Sequence, residues 1–292
     1  MDSTALGHSS ELIVCGWDEV FILDLSHQEN RRPKKVWSWR ANDRADLPQH
    51  MKGSRFATTD DCKPVDGGRK ILITSSGWGV ALVDRNTSRT LFYAVAENAH
   101  SADMLPGDRL VVAASVHEGE GPPRSANSLL IFDAKVPEKE LYRTELPRAH
   151  GVVWDDARQV LWALGGGEIR GHGLADWASD KPSLALIFRL DLPERGGHDL
   201  YPVPGTPLLT VTTFRHCWTF DRDSHGFSLH QTLSEKANVK SISVHPVTGQ
   251  LAYVQGEGEN WWAERIHFLN SEGTLHLPGE HLYKVRWNVQ PR

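Results

Sequence analysis

The sequence predicts an all-β protein, a six-bladed β-propeller with four-stranded blades. Three observations support this fold: a polar segment followed by an apolar strand recurs, a hydrophobic strand ending in Asp or Asn recurs in the same phase, and the last polar segment has no strand after it. The first marker recurs at separations of 39 to 50 residues, beginning at Asp61, His100, His150, His198, Lys240 and Lys284. A period of about 40–50 residues with several strands per copy is typical of propeller blades.

The first blade shows how the ring is expected to close. Residues 11–16 and 19–24 predict two strands joined by a tight turn, and residues 35–39 predict an outer strand, so this blade lacks its inner strand. The surplus C-terminal segment 283–289 supplies that strand, which leaves no open sheet edge at the seam. We therefore predict a single domain, 1–292, with blades at 11–40 plus 281–290, 58–96, 97–146, 147–192, 193–233 and 234–280.

Insertions explain the unequal spacing of the repeats. We predict them between the second and third strands of blades 3, 4 and 6, at residues 117–127, 165–183 and 256–264. In a propeller this connection lies on the same face as the start of the innermost strand. Long loops on one face of a repeat array usually form the binding face.

Composition narrows the classes of partner. The 292 residues carry a formal net charge of −5, which gives no reason to expect nucleic acid or an anionic membrane as partner. No stretch of 18 apolar residues and no secretory signal is present, and the three Cys lack zinc-type spacing. These features favour a cytoplasmic protein, which we expect to be a monomer. The absence of a phosphate-binding glycine loop or dinucleotide fingerprint predicts no nucleotide cofactor.

The six inner-strand starts are expected to converge at one mouth of the central channel, and none of them is apolar. In a first interpretation, His100, His150 and His198 bind one divalent metal ion, Mn, Zn or Ca. In a second, His and Lys act as general acid and base while Lys284 and Arg286 hold a carboxylate. In a third, the ring is a polar plug bridged by water. The sequence leaves all three open.

Substrate-binding residues are predicted around this ring. Exposed Trp beside carboxylates and Arg suits sugar rings or other flat polar molecules, because aromatic faces pack against C–H or π faces. The candidates are Asp61, Arg286, Trp17, Trp78, His117, Arg170, Arg215, Trp261 and Trp262.

The chain resembles the six-bladed propellers of an uncharacterised microbial family, within the superfamily of WD40-like and lyase-like propellers. The resemblance covers nearly the whole chain and lies in residues 14–18, 99–103, 150–155 and 284–287. It implies the fold and no function. More distantly, the chain is similar in architecture and residue type alone to propeller enzymes such as oligogalacturonate lyase, which use channel-mouth histidines with a metal. A shared fold does not establish a function.

These observations favour a small-molecule enzyme with its site at the channel mouth. We expect a lyase, isomerase or hydrolase acting on a carbohydrate-like or carboxylate-bearing substrate, with catalysis by His100, His150, His198, Lys240 and Lys284. One alternative is a non-enzymatic propeller that binds a small ligand or protein and has a structural channel plug. Another is a natural-product cyclisation catalyst, in which the Trp residues orient an apolar substrate.

Overall fold

A computed structural model describes residues 10–29, 32–115, 127–270 and 273–289. These residues form six four-stranded antiparallel sheets around one axis, which confirms the predicted propeller. No helix in the described ranges is long and apolar enough to cross a membrane. The strands, in chain order, are β1 (Glu11–Gly16), β2 (Glu19–Glu29), β3 (Arg32–Trp39), β4 (Thr59–Val65), β5 (Lys70–Ser75), β6 (Gly79–Asp84), β7 (Thr90–Val95), β8 (Ala99–Leu105), β9 (Arg109–Ala114), β10 (Ser128–Asp133), β11 (Glu140–Glu145), β12 (Gly151–Asp155), β13 (Val160–Leu164), β14 (Glu168–Ala175), β15 (Ser183–Asp191), β16 (Asp199–Pro202), β17 (Leu208–Thr212), β18 (Cys217–Asp221), β19 (Gly226–Leu229), β20 (Val239–Val244), β21 (Leu251–Gln255), β22 (Arg265–Leu269), β23 (Gly273–His276) and β24 (Lys284–Trp287).

The ring closes through the C-terminal strand, as predicted. The first sheet has the order β24-β1-β2-β3, and each of the other five sheets consists of four consecutive strands. Strand β24 pairs antiparallel with β1 over Leu12↔Trp287 to Cys15↔Lys284. Two backbone hydrogen bonds extend this pairing, from Tyr283 N to Cys15 O at 2.8 Å and from Asn288 N to Glu11 O at 2.9 Å. The seam is therefore bonded like the interior of the other sheets.

The apolar core lies between neighbouring blades. Second strands such as β9 are almost entirely buried because both of their faces contact a neighbouring sheet, whereas the outer strand β11 alternates between exposed and partly buried residues. Phe92 of blade 2 packs on Phe132 of blade 3 with ring centroids 5.9 Å apart. Trp162 of blade 4 packs on Phe220 of blade 5 at 5.4 Å. Continuous apolar runs are expected for strands buried on both faces.

The long connection between blades 1 and 2 is ordered and partly buried. It contains three short 3-10 turns, and its apolar residues Leu47, Met51 and Phe56 join the core between these two blades. Phe56 packs edge-on against Trp39 with ring centroids 5.1 Å apart. This segment fixes the junction next to the closing seam.

The insertion predicted at residues 165–183 of blade 4 is wrong. Residues 168–175 form the third strand, β14, which pairs with β13 and β15. The two glycines in this strand led to the prediction of a loop. A Cβ at Gly171 would lie 2.2 Å from the ring of Phe188, so the glycine leaves space for this aromatic side chain to pack over the strand. The Asp marker at Asp191 consequently ends the fourth strand of this blade, whereas in blades 2, 3, 5 and 6 the marker ends the third.

Candidate functional site

Each blade places one polar side chain where its innermost strand begins. In blades 2, 3 and 6 this residue is the extra residue of a β-bulge, because the pairing of the inner strand skips positions 60, 100 and 240. In blades 4, 5 and 1 it precedes the strand and donates its backbone N–H to the second strand at 2.8 Å. We call this set the histidine mouth; it consists of Asp60, His100, His150, His198, Lys240 and Tyr283.

The three histidines of the mouth are in contact. The rings of His100 and His150 stack with centroids 4.1 Å apart and an interplanar angle of 13°, and His198 meets His150 edge-on at 5.4 Å. His100 Nδ1 lies 2.9 Å from Asp60 Oδ1, within ion-pair distance but without hydrogen-bond geometry. His150 Nδ1 lies 2.9 Å from the carbonyl oxygen of Arg148. Because a carbonyl only accepts, Nδ1 of His150 carries the proton, and Nε2 of the neutral ring is the basic nitrogen.

His198 has two buried ring nitrogens that lack a hydrogen-bond partner among the described residues, whereas in His100 this applies to Nδ1. Both ring nitrogens of His198 are shielded from solvent. Its ring packs edge-on against Phe214, with centroids 5.0 Å apart. A buried polar group without a hydrogen bond costs about 1–3 kcal/mol. The position therefore favours a water molecule or a ligand that supplies the missing hydrogen bonds.

The local electrostatics keep two of the imidazoles neutral. Burial, together with the neighbouring His100 and His198, lowers the pKa of His150 well below 6.5. Burial and the charge of Lys240 do the same to the pKa of His198. Burial and the nearby ammonium of Lys284 lower the pKa of Lys240 to about 8. At pH 7 the mouth therefore presents two neutral imidazoles next to a lysine that loses its positive charge as the pH rises through about 8.

The metal ion predicted on His100, His150 and His198 stays a prediction. A facial set requires three lone pairs aimed at one point about 2 Å from each nitrogen. The rings of His100 and His150 are stacked, with an interplanar angle of 13°. Across the residues that the structure describes, no group of three or more His, Cys, Asp or Glu side chains is placed to hold a metal.

A buried network of opposite charges lies below the mouth. Arg286 donates to both oxygens of Asp199, through Nη1 at 2.9 Å and Nη2 at 2.6 Å, and through Nε to Asp61 at 3.1 Å. Lys284 Nζ lies 3.0 Å from Asp199 Oδ1, and Lys63 Nζ lies 4.0 Å from Asp61 Oδ2. We call these five residues the ion cluster. Its members come from the innermost strands of blades 1, 2 and 5, so the cluster joins three blades.

The charges of the ion cluster stabilise one another. Burial acts to raise the pKa of Asp61 and Asp199, but the charges of Arg286 and Lys284 outweigh it and hold both pKa values below their ordinary range. Burial acts to lower the pKa of Lys284 and Arg286, and the two carboxylates more than compensate. All four groups are therefore ionised at neutral pH, and their strongest contacts are with each other. This arrangement matches the polar plug of the third sequence interpretation, but one layer below the histidines.

Two residues of the mouth, Asp60 and Tyr283, were not predicted from the repeats within the sequence. The repeats placed Asp61 and Lys284 in the ring and predicted Arg286 as a substrate ligand, yet the side chains of all three are at most 1% exposed within the ion cluster. The ring positions belong to Asp60 and Tyr283 instead. In blade 2 a β-bulge adds one residue to the inner strand, so aligning the repeats by strand sequence shifts the register there by one position. The Asp60-Asp61 pair was the only signal for the alternative.

Aromatic side chains border the mouth at blades 1 and 6, and we call them the aromatic rim. Trp17 stacks on Trp261 at 5.5 Å, and His281 contacts Trp17 at 4.3 Å and Trp262 at 4.0 Å. Trp261 also meets the ring of Tyr283 edge-on at 5.5 Å, which connects the rim to the mouth. Trp17 and Trp261 are each 40% exposed. Three of the four predicted Trp residues are thus brought together beside the mouth.

The other predicted binding residues lie apart from the histidine mouth. Trp78 occupies the turn between β5 and β6, where the guanidinium of Arg55 lies 5.2 Å from its ring. Arg170 donates to Glu168 within blade 4 and to the carbonyl of Glu145 on the outer strand of blade 3. The side chain of Arg215 is 82% exposed on the turn between β17 and β18. His117 lies outside the described residues.

Fold and site define a six-bladed β-propeller whose channel carries a histidine-lined mouth above a buried ion cluster. The protein family described as "Family of unknown function (DUF6528)" matches residues 21–291, and the chain belongs to it. No curated protein matches the chain. Among solved structures, a chain in the crystal structure of the nidogen/laminin complex is similar, with a TM-score of 0.60 at 12% identity over 94% of this chain and 97% of that chain. At this identity the likeness shows the fold alone.

Proposed function

We propose that the protein is an acid–base enzyme, a lyase or isomerase, acting at the histidine mouth on a carboxylate-bearing, carbohydrate-like small molecule. The observation that supports this most strongly is His198, a neutral imidazole with both nitrogens unpartnered in the described residues and Lys240 among the charges acting on it. Removing a proton from the carbon next to a carboxylate requires a base and a nearby cation. The cation stabilises the negative charge that develops as the C–H bond breaks.

The roles of the side chains follow from their surroundings. His198 takes the proton from the carbon next to the substrate carboxylate, and the Lys240 ammonium pairs with that carboxylate. His100, whose Nδ1 lies 2.9 Å from Asp60 Oδ1, donates a proton to the departing oxygen in an elimination or to the carbon in an isomerisation. His150 lies between them and contacts both rings. The aromatic rim offers the flat faces of Trp17 and Trp261 to the C–H face of a sugar ring.

We expect His198→Ala to reduce turnover about 10²- to 10⁴-fold, the range for loss of a general base. The assay incubates uronic acids and their oligomers with the protein, follows new C=C bonds by ultraviolet absorbance, and follows exchange of the carbon-bound proton in D₂O by NMR. His276→Ala, on the outer strand β23, is the matched control and should keep full activity. An active wild type with an unchanged His198→Ala rate would contradict the assignment, as would a wild type that neither turns over nor exchanges any of these acids.

The pH profile tests Lys240 independently. A lysine with a pKa lowered to about 8 loses its positive charge as the pH rises through that value, so kcat/KM should fall on an alkaline limb near pH 8. Lys240→Arg keeps the charge and should move this limb upward by at least about one pH unit, because arginine stays protonated. Lys236→Arg, nearby in blade 6, is the control. An alkaline limb that stays in place in Lys240→Arg would remove Lys240 from the mechanism.

A binding protein without catalysis is the second candidate, and the exposed stack of Trp17 and Trp261 favours it. Such a pair can hold a flat ligand with no proton transfer. The same experiment separates the two functions, because a pure binder would retain uronic acids at the mouth with no exchange of the carbon-bound proton.

A further inference from the structure

A second cavity opens at the other end of the channel, below the ion cluster. It measures about 500 Å³, which lies within the range of about 300–1,000 Å³ for small-molecule sites. Its walls come from the inner strands of blades 2 to 5, including Lys63 of β4, Asp103 of β8, Trp154 of β12 and Tyr201 of β16. We call it the opposite pocket. No residue of the histidine mouth lines it, so the two sites are separate.

Polar groups with unused bonding capacity line this pocket. Tyr201 is 4% exposed and lines the pocket. Asp103 accepts from the backbone N–H groups of Met104 at 2.8 Å and Trp154 at 3.0 Å, which leaves each of its oxygens a further lone pair. Lys63 gives one of its three protons to the carbonyl of Val152. The pocket therefore offers a hydroxyl, a carboxylate and an ammonium.

The remaining wall is apolar, and the balance of charge disfavours an anion. Trp154, Met104, Val153, Pro64 and Pro202 supply flat or apolar surface. Three carboxylates, those of Asp103, Asp155 and Asp156, line the pocket against the two cations Lys63 and Arg222. The Arg222 guanidinium is already held by Asp155 at 2.7 Å and by the carbonyls of Pro207 and Thr206, each at 2.8 Å. A phosphate or free carboxylate would meet net negative charge here.

We infer that the opposite pocket binds a neutral saccharide. One face of the sugar ring packs on Trp154, and its hydroxyls bond to Tyr201, Asp103 and Lys63. Donors and acceptors together around an aromatic face suit a polyhydroxylated ring, because each sugar hydroxyl both donates and accepts. This site is distinct from the one proposed for catalysis and does not depend on it.

The test is calorimetric titration of the full chain with D-glucose, D-galactose and D-mannose, and with inorganic phosphate as the anionic probe. At least one sugar should bind saturably. Tyr201→Phe should weaken that binding about tenfold, the effect of losing one good hydrogen bond. This variant removes only the hydroxyl and keeps the ring that lies 4.0 Å from the Arg286 guanidinium, so the fold should be retained. Tyr142→Phe, on the outer strand β11, is the matched control.

Two further arms decide the location and the class of ligand. Sugar binding should be unchanged in His198→Ala, and a loss there would move the sugar to the histidine mouth and overturn this inference while leaving the proposed enzyme intact. Binding of phosphate in place of sugar, unchanged affinity in Tyr201→Phe, or no saturable binding of any of the three sugars would each overturn it as well. Failure of the uronic-acid assay has no bearing on this result.

Discussion

Arg286→Leu is expected to lower the free energy of unfolding by about 3–5 kcal/mol, the usual effect of removing one partner from a buried ion pair. Arg286 is fully buried and its guanidinium bonds to both Asp61 and Asp199. Leucine leaves two buried carboxylates with only the lysines to compensate them, and it removes a cation from the face of Tyr201. Urea unfolding followed by Trp fluorescence measures the loss.

A matched surface variant and a double variant show whether charge is the cause. Arg143→Leu removes an exposed arginine paired with Glu140 and should change stability by no more than about 0.5 kcal/mol. Asp199→Asn combined with Arg286→Leu removes one charge of each sign and should be less destabilised than the sum of the two single variants. Strict additivity, or an Arg286→Leu protein as stable as the parent, would show that the ion cluster does not support the ring.

The fold could be predicted from sequence because the same order of strands repeats along the chain of a propeller. Each blade repeats the same order of strands, so the period alone gives the number of sheets, and the strand missing at Glu11 is matched by the surplus strand at Lys284. Blade 4 shows the limit of this reasoning. There Gly171 lies in a strand for the sake of Phe188, and no local pattern distinguishes that glycine from one in a loop.

The candidate site was predicted in part. His100, His150 and His198 were expected to converge, and their rings are in contact. The depth of each residue was not accessible from sequence, because a bulge at a single position decides whether Asp60 or Asp61 stands at the mouth. The ion cluster was equally hidden, since the bond from Arg286 to Asp61 joins residues that are 225 positions apart and depends on that same register.

Deleting residues 281–292 is expected to abolish cooperative unfolding altogether. The deletion removes Leu282, Val285 and Trp287, which are at most 2% exposed. A fully buried apolar side chain contributes about 1.5–3 kcal/mol, and a whole domain is stable by only about 5–15 kcal/mol. The deletion also opens β1 as a sheet edge and removes two members of the ion cluster. Circular dichroism during heating should show no sharp transition, and the protein should aggregate.

Gly16→Ala separates ring closure from the loss of charge. A Cβ at Gly16 would lie 1.9 Å from the carbonyl oxygen of His281, so the methyl group pushes the closing segment away while Lys284 and Arg286 remain in the chain. We expect a clear fall in the melting temperature. The control is Gly167→Ala, where the nearest atom to the added Cβ is a side-chain carbon of Arg195 at 3.9 Å, and it should change the melting temperature little. A synthetic peptide of residues 281–292 should restore a cooperative transition to the deleted protein, because only strand pairing is missing. Cooperative unfolding of the deleted protein without the peptide would contradict this expectation. It would mean that five complete blades fold without the closing strand.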